Sequence, residues 1–293
     1  MDEKTRAKAQ KKAAGMQGLE GAYNAIHSVF HRPQAETRHI RTNHGTVRTL
    51  WYGTDQPGIR PAFIGLHGGG FVLGNPEMDE TMNLRFALDA GCRVVSIDYA
   101  KAPRFPFPYA VDQIYETIQA IRADAEKYGI DPERIAIGGH SAGANLSAVI
   151  CLKAKRENGG SFACQILDYP PLDLATSAYD KPSPSGCIPP DMATMFDACY
   201  VTGDETRHPY VSPVYASDAD MRGLPPALFI LAGRDSLHDE GERYRALLEK
   251  NGVATEARDY PDALHGFTLG DSADARNAID AMAAFLARHL AKA

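Results

Sequence analysis

Residues 134–145 read RIAIGGHSAGAN: a short apolar stretch, Ile135-Ala136-Ile137, runs into glycines that bracket one serine, Ser141. A helix-like run from Asn145 to Lys155 follows. A strand, a tight G-x-S-x-G turn and a helix, in that order, make the nucleophile elbow arrangement. Such a serine stands on a strained turn with its hydroxyl exposed. Small residues two positions to either side, here Gly139 and Gly143, let neighbouring elements close around it. The pentapeptide alone fits a glycine-rich turn with a capping serine equally well.

Outward from this turn, short apolar runs recur at Ala62–Leu66, Arg93–Asp98, Ala163–Asp168, Ala227–Ala232 and Ala254–Tyr260. Helical patterns lie between them, at about 78–89 and 109–128, and a last one carries Ile279, Met282, Phe285, Leu286 and Leu290. That alternation predicts an α/β fold, with a mainly parallel sheet covered by helices on both faces. Before it, two alternating stretches around Arg38–Arg41 and Thr46–Tyr52 flank Asn43-His44-Gly45 and predict a hairpin. Met16, Leu19, Tyr23, Ile26 and Phe30 share one face of a predicted amphipathic helix that Pro33 should end. Residues 170–225 break the rhythm, being rich in proline with one helical piece near Asp191–Tyr200. A long irregular stretch inside one domain is usually a lid or binding element. The chain is therefore expected to be a single domain, 1–293, with an insertion.

The 293 residues are 44% hydrophobic and 23% charged, with a net charge of −6. That balance gives no reason to expect nucleic acid or an acidic membrane surface as a partner. Lys4, Arg6, Lys8, Lys11 and Lys12 fall on the first predicted helix and read as its solvated face. Five cysteines, odd in number and without a CxxC pair, argue against a disulfide framework or a zinc site and fit a reducing compartment. The first residues lack the apolar core of a signal peptide, and no run approaches the ~18 apolar residues of a membrane span. A cytoplasmic location without membrane association is the expectation.

His67-Gly68-Gly69-Gly70 follows the 62–66 run, where a hydrolase needs backbone N–H groups for a developing oxyanion. The N–H groups of Gly69, Gly70 and Ala142 are the candidates. A serine nucleophile also needs a base and an orienting carboxylate, in the order Ser, Asp or Glu, His for this architecture. Of the downstream histidines, His208, His238, His265 and His289, the last lies in the terminal helical pattern, and His265 falls on a loop just after the strand candidate Ala254–Tyr260. Catalytic groups gather at that end of open α/β sheets. Asp235 follows the 227–232 run through Gly233-Arg234; Asp239 and Glu240 are rivals that also suit the first turn of the next helix.

Taken together, H-G-G-G-F (67–71), D-Y-A-K-A-P-R-F-P-F-P (98–108), G-H-S-A-G-A (139–144), D-S-L-H-D-E-G (235–241) and H-G-F (265–267) resemble the hormone-sensitive-lipase-like carboxylesterases. The resemblance spans about residues 60–270. It implies an α/β-hydrolase fold with an eight-stranded, mostly parallel sheet and a helical cap formed by about 1–35 and 173–222. It favours Asp235 over Asp239. Three positions depart near Asp98, where Ala100, Lys101 and Arg104 replace the family's Arg, Leu and Glu. His140 stands where Asp usually precedes the nucleophile, and Ala144 where Gly is common. His140 reads as structural, because a side chain next to the elbow serine points away from its hydroxyl.

The implied activity is hydrolysis of short-chain carboxylic esters, acetyl to about hexanoyl, by Ser141, His265 and Asp235, with no metal or cofactor. Phe71 should border the pocket, and Met192, Met195, Phe196 and Tyr200, at helical spacing, are either its roof or simple packing. The same triad would serve aryl formamide or amide hydrolysis, and a related scaffold serves non-catalytic small-molecule receptors. A homodimer through the terminal elements follows from the resemblance alone.

Overall fold

The computed structural model describes residues 3–30 and 33–292, with the backbone alone at 27, 29 and 30. Residues 1, 2, 31 and 32 of the first expected cap segment, and the Phe30 side chain of the expected stripe, lie outside the described residues.

Strands β1 (Glu36–Thr42) and β2 (Gly45–Tyr52) form the expected hairpin, with Thr42 opposite Gly45 across Asn43-His44. Six more strands complete the sheet: β3 (Arg60–Leu66), β4 (Arg93–Ile97), β5 (Ile130–His140), β6 (Gln165–Asp168), β7 (Ala227–Ala232) and β8 (Thr255–Tyr260). Their spatial order is β1-β2-β4-β3-β5-β6-β7-β8. β2 pairs antiparallel with β1 and β4, and every other pairing is parallel.

The helices are α1 (Glu3–Phe30), α2 (Glu80–Asp89), α3 (Tyr109–Ala123), α4 (Ala142–Arg156), α5 (Pro190–Tyr200), α6 (Asp218–Met221), α7 (His238–Lys250) and α8 (Ala273–Leu290). Two are shorter than expected. A single 3-10 turn, Pro76–Asp79, precedes α2, and α3 ends at Ala123, where Ile130 N–H turns back to the Ala125 carbonyl.

Successive strand residues feed opposite cores, as the period of two requires. Ile64, Val95, Phe229 and Leu231 pack with α3, α4 and α7 on one face. Phe63, Val94, Leu228 and Ile230 pack with α2 and α8 on the other. Both faces of the sheet are thus dry, which is why its strands read as continuous apolar runs.

α1 does not bury the expected stripe. Leu19, Tyr23 and Ile26 are 76%, 65% and 65% exposed, while Ala13 is buried and Ala9 and Met16 pack against the core. Small side chains let α1 lie close along α5. Polar anchors fix its docked face: Gln17 Nε2 donates to the carbonyls of Val72 and Ala102, and Glu20 Oε1 accepts from Gly74 N–H. The segment between β6 and β7 is tied to α7 by Lys181–Glu240 at 3.2 Å and Arg243–Asp173 at 2.8 Å. All five cysteines are free thiols, with only Cys187 away from full burial. No described helix is long and apolar enough to cross a membrane.

Candidate active site

Ser141 sits between the end of β5 and the start of α4 with φ +52° and ψ −123°, a conformation that costs a non-glycine residue about 1–3 kcal/mol. The surroundings hold it there. Ser141 N–H donates to the Asp168 carbonyl at 2.8 Å, and its own carbonyl accepts from Ala144 and Asn145 as α4 begins. A Cβ on Gly139 or on Gly143 would run into the carbonyl oxygen of Leu66 at the end of β3. The two glycines are therefore demanded by close backbone approach, and the Ser141 side chain makes no helix-cap hydrogen bond.

Asp235 and His265 come from adjacent strands. Gly233 N–H donates to the Tyr260 carbonyl and Arg234 N–H to that of Ala263, which lashes the loop after β7 to the loop after β8. His265 Nδ1 lies 2.6 Å from Asp235 Oδ2, and Nε2 lies 2.9 Å from Ser141 Oγ. A carboxylate can only accept, so the ring carries its hydrogen on Nδ1 and offers Nε2 to the serine hydroxyl. Asp235 is buried, and its other oxygen accepts from Leu237 N–H at 3.2 Å. Asp239 and Glu240 sit in the first turn of α7, where Glu240 pairs with Lys181.

The segment 67–74 packs beside the elbow. Gly69, Gly70 and Phe71 occupy three consecutive positive-φ positions, at +116°, +61° and +65°. Among the hydrogen bonds of the described residues, the N–H groups of Gly69, Gly70 and Ala142 have no protein acceptor. They are available to an anion. The His67 ring is stacked on Tyr99 and fully buried, and burial holds it well below the usual imidazole range, so it stays neutral.

Of the expected pocket residues, Phe71 and Tyr200 stack face to face at 3.9 Å, and both are buried, as is Met195. The positive φ of Phe71 turns its side chain into the core. Met192 and Phe196 remain partly exposed, and the Phe196 ring fills the space that a Cβ on Gly70 would need. A cavity of about 880 Å³ lies between α1 and this segment, touching Val72 and Gly74, and is lined by none of Ser141, Asp235 and His265.

Sequence reasoning missed a buried polar layer beneath these groups. Tyr169, whose ring lies 4.7 Å from that of His265, donates to Thr268 Oγ1 at 2.6 Å; Thr268 in turn donates to Asp168 Oδ2 at 2.7 Å. Burial pushes the Asp168 carboxyl up to about 7, against the pull of Thr268 and His140. Its position at the carboxyl end of β6, opposite His140, was the available signal. Asp197, beside Phe196 on α5, is likewise pushed up to about 7 by burial, against Lys181. No group of three or more metal-ligating side chains occurs among the described residues.

Residues 63–269 match the family model described as the alpha/beta hydrolase fold. The chain is 33% identical over 225 residues to carboxylesterase NlhH of Mycobacterium tuberculosis, covering 75% of this chain and 70% of that enzyme. Ethyl acetate hydrolase of Pseudomonas putida is 32% identical over 219 residues, 73% of this chain and 68% of its own length. The hyperthermophilic esterase of Pyrobaculum calidifontis superposes with a TM-score of 0.79 at 32% identity, covering 99% of this chain and 95% of the esterase.

Proposed function

The chain belongs to the α/β-hydrolase family, and from that premise we propose that it is a carboxylesterase that hydrolyses short-chain esters, acetyl to about hexanoyl, through Ser141, His265 and Asp235. The observation that carries this assignment is the hydrogen-bonded series Asp235–His265–Ser141 at the carboxyl ends of β5, β7 and β8.

His265 Nε2 takes the hydroxyl proton as Ser141 Oγ attacks the ester carbonyl. Asp235 keeps the other ring hydrogen on Nδ1 and stabilises the imidazolium. The free N–H groups of Gly69, Gly70 and Ala142 receive the negative oxygen of the tetrahedral intermediate; one such donor is typically worth about 10²–10³ in turnover. His265 then protonates the leaving alcohol, and water attacks the acyl-enzyme by the same route in reverse. Every step runs on these side chains and backbone groups.

Segments at about 1–35 and 173–222 act as a cap over this centre. Met192 and Phe196 line its inner side, while Phe71, Met195 and Tyr200 back that lining from the core. Phe196 against Gly70 narrows the space beside the nucleophile, which favours short acyl groups.

The test is turnover of p-nitrophenyl acetate, butyrate, octanoate and palmitate by the native protein and by Ser141→Ala. The expected result is a steep fall beyond butyrate and a loss of about 10⁴-fold or more in the variant. Equal rates for both proteins would overturn the assignment.

A further inference from the structure

His140 stands immediately before Ser141, yet its side chain turns away from the hydroxyl and into the buried space beneath the 67–74 segment. Its Nε2 lies 3.1 Å from Gly68 N and 2.8 Å from Asp79 Oδ1, and all three groups are buried or nearly so. A Cβ on Gly68 would sit 2.6 Å from both Nδ1 and Cε1 of the ring, so the Gly68 backbone lies flush on the imidazole. The Gly68 carbonyl is held from the other side by His67 Nδ1 at 2.7 Å.

Two neighbours compete for one ring nitrogen. A hydrogen on Nε2 ties the ring to Asp79, and without it Nε2 accepts the Gly68 N–H. Either way the ring stays between the two. Where the family resemblance leads one to expect a carboxylate directly before the nucleophile, this chain supplies one from Asp79, an imidazole's width further off. Burial opposes a charge on His140, but Asp79, and more distantly Asp168, outweigh it and raise its affinity for a proton.

We propose that His140, clamped by Asp79, is a positioning residue for ester hydrolysis. Its ring is the bed on which Gly68 rests, and it sets the N–H groups of Gly69 and Gly70 at the place where the oxyanion forms. Other bonds hold the flanks of this place, where the Gly69 carbonyl accepts from Val72 and Leu73 N–H and Gly74 N–H donates to Glu20. Gly69 and Gly70 carry no side chains, both sit at positive φ, and their N–H groups have no acceptor among the described residues. This proposal rests on the oxyanion role assigned above to those two glycines.

The experiment compares the native protein with His140→Asn and Asp79→Asn. Active sites are counted with a fluorophosphonate label, kcat and KM for p-nitrophenyl acetate are expressed per labelled site, and affinity is measured for an alkyl trifluoromethyl ketone and for its alcohol. The ketone's serine adduct carries an oxyanion, whereas the alcohol forms none. A positioning role predicts labelled fractions near those of the native protein and KM within about threefold. It also predicts kcat per site down by about 10- to 100-fold, with ketone affinity falling in step and alcohol affinity unmoved. Unchanged kcat per labelled site in both variants would overturn the proposal and leave His140 a packing residue. If His140→Asn fails to fold, Asp79→Asn alone decides, since it keeps the ring and removes the clamp. A native protein that binds ketone no better than alcohol would refute the oxyanion assignment itself, a result distinct from either outcome for His140.

Discussion

The elbow and the 67–74 segment lie side by side, yet they are held in opposite ways. The elbow is held by backbone alone: the strain at Ser141, its N–H bond to the Asp168 carbonyl and the close approach of Gly139 and Gly143 to Leu66 involve one loop and the ends of the two flanking strands, β6 and β3. The oxyanion segment takes its shape from all around it. Gln17 and Glu20 of α1 brace one side, the Tyr99 hydroxyl holds the His67 carbonyl, His140 supports Gly68, and Phe196 of α5 covers Gly70. A feature held by its own backbone should fail outright when altered. One held by many remote side chains should degrade by degrees.

The largest expected effect is therefore at the elbow. Gly143→Ala would drive a methyl group into the Leu66 carbonyl where neither backbone can yield, with a destabilisation of about 3 kcal/mol or more. Denaturant unfolding, together with absence of turnover, checks this; a folded, active Gly143→Ala protein would break the contrast. The oxyanion segment should respond more gently. Gly70→Ala meets the Phe196 ring and an unfavourable φ, and should lower kcat by about 10- to 100-fold. Adding Phe196→Ala removes the ring and leaves the backbone strain, so the double variant should regain part of the rate. No recovery would mean that φ alone is at fault.

The smallest effect concerns Asp168. Its carboxyl is pushed up to about 7 in the folded chain, from near 4 unfolded. The folded state binds that proton more tightly, so its contribution is fully present below about pH 4 and is lost as pH rises through about 7. The slope for one proton is at most about 1.4 kcal/mol per pH unit. Unfolding midpoints at pH 5 and pH 8 should thus differ less in Asp168→Asn than in the native protein. An equal difference would show that the other raised groups, Asp197 among them, carry the whole dependence.

What could be seen in the sequence follows the same division. The strand runs, the hairpin at Asn43-His44 and the order Ser141, Asp235, His265 were legible because each depends on local period, turn chemistry or the end of a strand. The docked face of α1 was not. Its apolar spacing was real, but Ala9, Ala13 and Gln17 allow the closer contact, and distance of approach is a property of the pair of helices. The stacking of Phe71 on Tyr200 was hidden for a related reason, since a positive φ at a non-glycine residue leaves no mark in the sequence. The polar layer was the least visible. Asp79 and His140 are 61 residues apart and Asp168 and Thr268 are 100 apart, so nothing near either partner announces the other.

The distance along the chain between Ser141 and His265, 124 residues, also bears on how the protein comes into being. Closing loops of that size is entropically late compared with forming helices or the β1–β2 hairpin. β6, β7 and β8 must all be in place beside β5 before Asp235 and His265 can face the serine. Esterase activity in a refolding chain is accordingly a clock for the joining of these distant segments, and a newly made chain is chemically silent until synthesis has passed His265.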